Sequence, residues 1–430
     1  MLPSQNAVST VAVQFFWTPL YTGYIDVNAR HLFFYFFESR SDPDKDDVIL
    51  WTNGGPGCSS AMGLFMELGP CRVLDEHGPK FHPYSWTSNA NIFFIDQSVG
   101  VGFSYAEHGE IVSTTEEAAK DVAAFVVIFF EHFTKFKGRA FHMAGESYGG
   151  CYLPLFASAV YDQNPILVAA GMSAVNLTSV IIGNGFTDFQ STVLSHYDFG
   201  CISTSIPPVL DTSTCIKMQK MVPRCKTWFK KACQDGFDDI NCGAAFKACF
   251  PVFFSPFRLS GLNPYDVTRK CKGVPENFCY DEVRHIVNYL DTPSVRSQLG
   301  VDPWFSGKNF ELCAEDISQS FKDALDWSHP TQLYVAALLE RGVKVLNYVG
   351  KYDSVCNWIG NERWSLELEW SGKEELSKQK LRVWLVNGKR AGHMRKTGPF
   401  TFAAIDGAGH MVSFHGKYKK CALHKFIRSL

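Results

Sequence analysis

Short, nearly continuous apolar runs recur along the chain: His31–Glu38, Val48–Thr52, Asn91–Asp96, Phe141–Gly145, Val180–Gly183, Val343–Val349, Leu381–Val386 and Thr401–Ile405. Runs of this length match strands buried on both faces. Between several of them the apolar spacing lengthens to that of a helix. The clearest case follows Ser113-Thr114-Thr115-Glu116, a capping-box pattern, and continues from Ala118 through Phe133. Strands alternating with helices predict an α/β fold with a mostly parallel central sheet and helices on both faces. From Thr187 to Gln332 the strand signal fades and a Cys-rich, Lys-rich, helix-prone stretch replaces it. The expected organisation is a core of residues 21–186 and 333–430, a helical insertion at 187–332, and an atypical N-terminal segment at 1–20.

A length of 430 residues suits one large domain or a core with a sizeable insertion. The 41 Lys and Arg against 43 Asp and Glu give a net charge of −2, which supplies no electrostatic case for nucleic acid as a partner. The basic run Lys217, Lys220, Arg224, Lys226, Lys230 and Lys231 reads as a solvated face of the insertion. The longest apolar run, Val122–Phe130, is too short to cross a bilayer and lies between Asp121 and Glu131. Fourteen cysteines, seven of them between Cys201 and Cys271 and none in a C-x-x-C, argue for disulfides rather than zinc, and so for a secretory-pathway, vacuolar or extracellular protein. The sequon Asn176-Leu177-Thr178 fits that compartment. The first twenty residues have no basic segment, only a weak apolar core and no clear cleavage site, so no signal peptide is visible in this chain.

Three segments carry chemistry. In the first, an apolar run ends in Gly145-Glu146-Ser147-Tyr148-Gly149, a G-x-S-x-G pattern ahead of a helix-like stretch. On a strand–turn–helix elbow the glycines leave room for a sharp turn that lifts the serine hydroxyl clear of the sheet; the bland alternative is an ordinary loop. A serine needs a base, and the base an orienting acid, in the chain order serine, acid, histidine. Asp353 follows the run ending at Val349, and His410 sits in a glycine-flanked loop after Ile405. By itself Asp353 reads equally as a solvated turn residue. The third segment, Asn53-Gly54-Gly55-Pro56-Gly57, follows Val48–Thr52, where a hydrolase keeps the loop donating one oxyanion N–H. No P-loop, metal motif or complete dinucleotide fingerprint occurs, and no cofactor is expected.

With these residues the chain resembles the serine carboxypeptidases of the carboxypeptidase Y type, from Tyr21 almost to the C-terminus. The shared stretches include ILWTNGGPGCSS, GLFMELGP, NANIFFIDQ, AGESYGG, NLTSVIIGNG, YDSVCNWIGNERW and GAGHMV. The resemblance implies an α/β-hydrolase fold whose disulfide-rich, mainly helical insertion caps the active site. It implies Ser147 as nucleophile, His410 as general base and acid, Asp353 as its partner, and the N–H groups of Gly55 and Tyr148 as the oxyanion hole. Asn53, Glu67 and Glu146, beside Trp51, would hold the C-terminal carboxylate of a peptide. Carboxylates crowded around a third repel unless protons are shared, so an acidic optimum is expected.

The resemblance further implies disulfides Cys58–Cys313, Cys201–Cys215, Cys225–Cys249, Cys233–Cys242 and Cys271–Cys279, with Cys71, Cys151, Cys356 and Cys421 outside them. Cys356 matches a thiol that lines the family's active site. With Val355 it would shape the pocket before the scissile bond, and Met62 and Met411 would contact the leaving residue. The chain departs from the family at Cys151, where histidine is usual, and at Ser98 and Ser413, where proline is. Peptide and protein C-termini are the expected substrates. An acyltransferase on the same scaffold and a non-catalytic scaffold protein are the competing readings; the intact Asn53, Glu67, Glu146 and triad residues favour the peptidase.

Overall fold

The computed structural model describes residues 8–15, 18–272 and 278–414. Cys421 and most of the first seventeen residues therefore lie outside the described residues or at their margin. The chain forms two compact units. One runs to Ile181 and takes in Glu282–Ala324; the other comprises Ile182–Asp281 and resumes at Leu325.

In the first unit the strand order is Val8–Phe15, Thr18–Val27, Arg30–Phe37, Asn91–Ile95, Val48–Thr52 and Phe141–Ser147. The first three pair as antiparallel neighbours, and Asn91–Ile95 joins Arg30–Phe37 antiparallel. Val48–Thr52 then runs parallel to both Asn91–Ile95 and Phe141–Ser147. These parallel strands are buried along their whole length up to Glu146, which is why they read as unbroken apolar runs. The helix Thr115–His132 covers them with Phe125 and Phe129, whose rings meet Phe34 and Phe93. Its N-cap is Thr114 rather than Ser113: Thr114 Oγ1 accepts from the Glu117 N–H at 3.2 Å, and Glu117 Oε2 accepts from the Ser113 N–H at 3.1 Å. The capping motif thus lies one residue later than the sequence pattern suggests, because Glu117 and not Glu116 turns back over the first turn.

The strand Leu177–Gly185 carries the chain from the first unit into the second. There Lys344–Gly350 pairs parallel with Phe400–Ile405, which pairs antiparallel with Lys389–Thr397, itself antiparallel to Arg382–Val386. The stretch 187–332 is mainly helical, with Phe189–Cys201, Thr212–Phe229, Asp239–Leu259, Glu282–Asp291, Pro293–Leu299 and Glu315–Asp323. Disulfides Cys201–Cys215, Cys225–Cys249, Cys233–Cys242 and Cys271–Cys279 lie within it. The basic residues from Lys217 to Lys231 are all exposed, with Lys230 paired to Asp235 at 2.8 Å. Among the described residues no helix is long and apolar enough to cross a membrane. The architecture is that of an α/β hydrolase.

Candidate active site

Ser147 ends the strand Phe141–Ser147 with φ +61°, and the helix Gly149–Asp162 begins two residues later. A non-glycine residue in that left-handed region is strained, and the strain is the cost of reversing direction within one residue. The N-terminus of the helix lies directly behind the serine, where the positive end of its dipole favours developing negative charge. Ser147 is partly exposed, whereas Glu146 and Tyr148 on either side are buried.

The loop from Asn53 to Ser60 packs backbone to backbone against this elbow. A Cβ on Gly54 would lie 2.3 Å from the Tyr148 nitrogen and 2.9 Å from Ser147 Cβ, so only glycine fits there. Gly55 is exposed at φ +121° and precedes a cis Gly55–Pro56 bond. The loop is pinned from three directions. Cys58 is bonded to Cys313, with Ser59 N–H donating to Leu312 O at 2.7 Å and Ala314 N–H to Gly57 O at 2.9 Å. Ser60 Oγ donates to Ile95 O at 2.5 Å and Ser59 Oγ to Asp96 Oδ1 at 2.5 Å. Tyr152, on the elbow helix, accepts from the Gly57 N–H at 3.3 Å. Burial pushes the Asp96 carboxyl up to about 6, against the hydrogen bonds from Ser59 and the Phe103 and Ser60 N–H groups. The cost of keeping this acid buried is absent below its unfolded-state value of 3.8 and grows until about pH 6, so this group favours the fold in acid. We expect Gly54→Ala to lower kcat/KM by about 10²–10³-fold, the scale of losing an oxyanion donor, since the added methyl must displace Tyr148. Steady-state rates measured beside a melting curve check this; near-wild-type rates would contradict it.

A chain of polar side chains, Trp51, Asn53 and Glu146, runs up to the elbow. Trp51 Nε1 donates to Asn53 Oδ1 at 2.8 Å, as does the Gly63 N–H at 2.9 Å, which fixes the amide orientation. Asn53 Nδ2 then donates to Glu146 Oε1 at 2.9 Å. Glu67 lies on the π-helical turn Gly63–Leu68 and is 1% exposed, so it is no solvated helix residue; Asn53 and Glu146 are each 2% exposed. Met62, which precedes the turn, is buried.

The second unit brings Asp353 and His410 together. His410 Nδ1 lies 2.7 Å from Asp353 Oδ2, which also accepts from Asn184 Nδ2 at 2.8 Å and the Cys356 N–H at 3.1 Å. Oδ1 accepts from the Val355 N–H at 2.8 Å. Asp353 is therefore a fully buried, four-donor carboxylate and not a solvated turn. Asn184 locks the arrangement by also accepting from the Gly350 N–H at 3.0 Å. Its own φ is +40°, and neither it nor Asp96 stood out in the sequence. His410 is anchored by its N–H to Tyr265 O at 2.7 Å, with the Tyr265 ring edge-on at 5.1 Å. Asp353, Cys356 and His410 offer atoms within 4.8 Å of one another, a spacing a metal could use. The imidazole–carboxylate bond already engages two of the three groups, so the cluster is complete as a hydrogen-bonded pair. Cys356 and Met411 are buried and Val355 half-buried. Cys71, Cys151 and Cys356 lie outside the five disulfides. Asn176 is exposed at the start of Leu177–Gly185, with Thr178 Oγ1 donating to its carbonyl at 3.2 Å.

The serine carboxypeptidase family model matches residues 12–428. Carboxypeptidase Y of Komagataella phaffii is 39% identical over 399 residues, 92% of this chain and 73% of the relative. The vacuolar serine-type carboxypeptidase ATG42 of Saccharomyces cerevisiae is 39% identical over 416 residues, 96% and 78% of the two chains. Among solved structures, the prohormone-processing carboxypeptidase Kex1(delta)p of Saccharomyces cerevisiae superposes with a TM-score of 0.77 at 23% identity, covering 96% of this chain and 91% of its own. That last likeness establishes the shared fold.

Proposed function

Because this chain belongs to the serine carboxypeptidase family and is a serine-type carboxypeptidase, we propose that it removes C-terminal residues from peptides through an acyl-enzyme on Ser147. His410 takes the Ser147 proton as the hydroxyl attacks the last peptide carbonyl. The N–H groups of Gly55 and Tyr148 hold the oxyanion, and His410 returns the proton to the leaving amine. Water then repeats the sequence in reverse to release the shortened peptide. Asp353 holds the imidazole orientation and stabilises its cationic form.

The observation that carries the exopeptidase reading is the buried polar cluster next to the elbow. Glu146 precedes Ser147 in the chain and accepts from Asn53, which Trp51 and Gly63 hold in place. A carboxylate one residue beyond the scissile bond can reach such a cluster only if that residue is the last. Two buried acids, Glu67 and Glu146, bind a third carboxylate as proton donors, so a proton must be present on them. Rising pH removes it, and binding of the peptide weakens. This is the basis for the proposed acidic optimum. Met62 and Met411 are assigned to the leaving residue and Val355 with Cys356 to the one before it, which favours apolar side chains at both. Residence in the vacuole is proposed from the name of one relative and the disulfide-rich chain.

The test compares an N-blocked Phe-Leu with its C-terminal amide at pH 5 and pH 8. The free acid should be cleaved at least about tenfold better at pH 5 than at pH 8, and Glu146→Gln should alter that ratio while leaving the amide's pH response in place. Equal treatment of acid and amide at both pH values would remove the carboxylate site from the reading. Product appearing only with an alcohol acceptor would replace hydrolysis by acyl transfer.

A further inference from the structure

The loops that carry Asp353 and His410 leave neighbouring strands at the same level. Lys344–Gly350 and Phe400–Ile405 run parallel with Gly350 opposite Ile405, and the next residues are Lys351 and Asp406. Main-chain bonds lace the two loops together. The Lys351 N–H donates to Ile405 O at 3.0 Å and the Tyr352 N–H to Ala408 O at 2.8 Å, and there is no room for a side chain between Gly350 and the Gly409 carbonyl. The side chains join as well: Lys351 Nζ lies 2.7 Å from Asp406 Oδ1. Lys351 is two residues ahead of Asp353, and Asp406 four ahead of His410.

Lys351 is held in place from three further directions. Its Nζ donates to Nδ1 of His393, on Lys389–Thr397, at 2.8 Å and lies 5.6 Å from the centre of the Trp358 ring. Trp358 opens the helix Trp358–Glu367 that follows the Asp353 loop. Trp358 Nε1 donates to Ser205 Oγ at 3.2 Å, and that hydroxyl donates to the Lys351 carbonyl at 3.1 Å. An imidazole nitrogen accepts from an ammonium only when it is bare. Burial, Lys351 and Arg390 lower the His393 pKa against the pull of Asp406, 3.8 Å away, and so keep that nitrogen bare further into acid.

Asp406 is where the charges meet. Its Oδ2 accepts from Arg390 Nε at 2.6 Å. Burial raises its carboxyl, but the bonds from Lys351 and Arg390 outweigh that and hold it below the ordinary range. The other charged groups nearby, Glu362 on the helix and Arg395 on Lys389–Thr397, pair with each other at 3.1 Å. The Lys351 side chain is 12% exposed and that of Arg390 55%. Lys351–Asp406 is thus the inner pair, less screened by water and salt than the Arg390 pair outside it.

Resting on the Ser147–His410–Asp353 reading above, we propose that Lys351 and Asp406 are positioning residues for the reaction. Their ion pair clasps the Asp353 loop to the His410 loop and so fixes the imidazole–carboxylate bond on which proton transfer depends. Neither touches the substrate. A catalytic group displaced by about 1 Å can cost about 10²-fold in rate, and a clasp at the roots of both loops governs shifts smaller than that.

On blocked Phe-Leu, Lys351→Met should lower kcat about tenfold with KM within about twofold of wild type, because the polar chain at Glu146 is untouched. Lys351→Arg, which keeps the charge, should recover most of the loss, and Lys351→Gln replaces the Met variant if that one folds poorly. Asp406→Ala should reproduce the Lys351→Met loss. The double variant should be no slower than the slower single one, since both remove one interaction. Arg390→Gln should leave kcat close to wild type, although Arg390 bonds the same carboxylate. The far-downfield proton resonance of the His410–Asp353 bond should shift or broaden in Lys351→Met and Asp406→Ala and stay in place in Arg390→Gln. A pair that only stabilised the fold would lower the melting temperature and leave that resonance, and kcat measured well below the melt, unchanged. That result, additive losses in the double variant, or an equal loss in Arg390→Gln would each overturn the proposal. If Asp353→Asn itself kept the wild-type kcat, the triad reading would fall instead, so the two failures are distinguishable.

Discussion

Ser147→Ala is expected to reduce kcat by roughly 10⁵–10⁶-fold on blocked dipeptides, leaving only the small rate that binding and the oxyanion donors provide. Few single-atom deletions in the protein should do so much chemically and so little structurally. The side chain is partly exposed, and the helix that follows is held by its own backbone and by Tyr152 and Phe156 in the core. The melting temperature should therefore stay within a few degrees of wild type. Ser147→Gly should go further. Its φ of +61° suits glycine, so the fold should gain about 1 kcal/mol as activity is lost. A gain in stability together with a lost nucleophile would identify the elbow as a strained catalytic position. Retention of more than about 1% of wild-type kcat in Ser147→Ala would place the nucleophile elsewhere.

The parallel strands were legible because burial on both faces leaves no room for polar residues. Val48–Thr52 and Asn91–Ile95 match their apolar runs to within a residue. The strand Lys389–Thr397 was invisible for the converse reason. It sits between Phe400–Ile405 and Arg382–Val386, yet its sequence is Lys-Arg-Ala-Gly-His-Met-Arg-Lys-Thr. Arg395 reaches Glu362 at 3.1 Å, and Arg390 reaches Asp406 at 2.6 Å, so long charged side chains occupy positions where an apolar pattern is sought. Thr18–Val27 was missed similarly, since alternating small, polar and aromatic residues break the run.

The residues proposed to react lie on motifs with local signatures, but the groups that support them do not. Asp96, Asn184 and Arg72 are separated by 37, 169 and 5 positions from the groups they hold, namely Ser59, Asp353 and Glu67. Nothing in a sequence window distinguishes a buried asparagine that accepts from Gly350 and donates to Asp353 from one that starts a turn. Only the fold brings the partners together. The same holds for Glu67, whose solvent exposure depends on a π-helical turn folded over by Arg72 and Tyr289.

Asp353→Asn carries the second large effect. Its Oδ2 receives donors from His410, Asn184 and Cys356, and its Oδ1 one from Val355. An amide in either orientation sets its own N–H against at least one of these donors, at a cost of about 1–3 kcal/mol in stability. The larger loss is electrostatic. The imidazolium formed when His410 takes a proton would face a neutral group in a site from which water is excluded. We expect kcat to fall about 10⁴-fold with KM little changed, as an effect felt only in the transition state requires. Asn184→Ala separates support from charge: it removes one donor to Asp353 and the acceptor for the Gly350 N–H but leaves the carboxylate. Its kcat should fall about tenfold, and its melting temperature should fall with it. If Asp353→Asn lowered kcat no more than Asn184→Ala, the carboxylate would serve only to hold the loop, and the stabilisation of the His410 cation would have to come from another group.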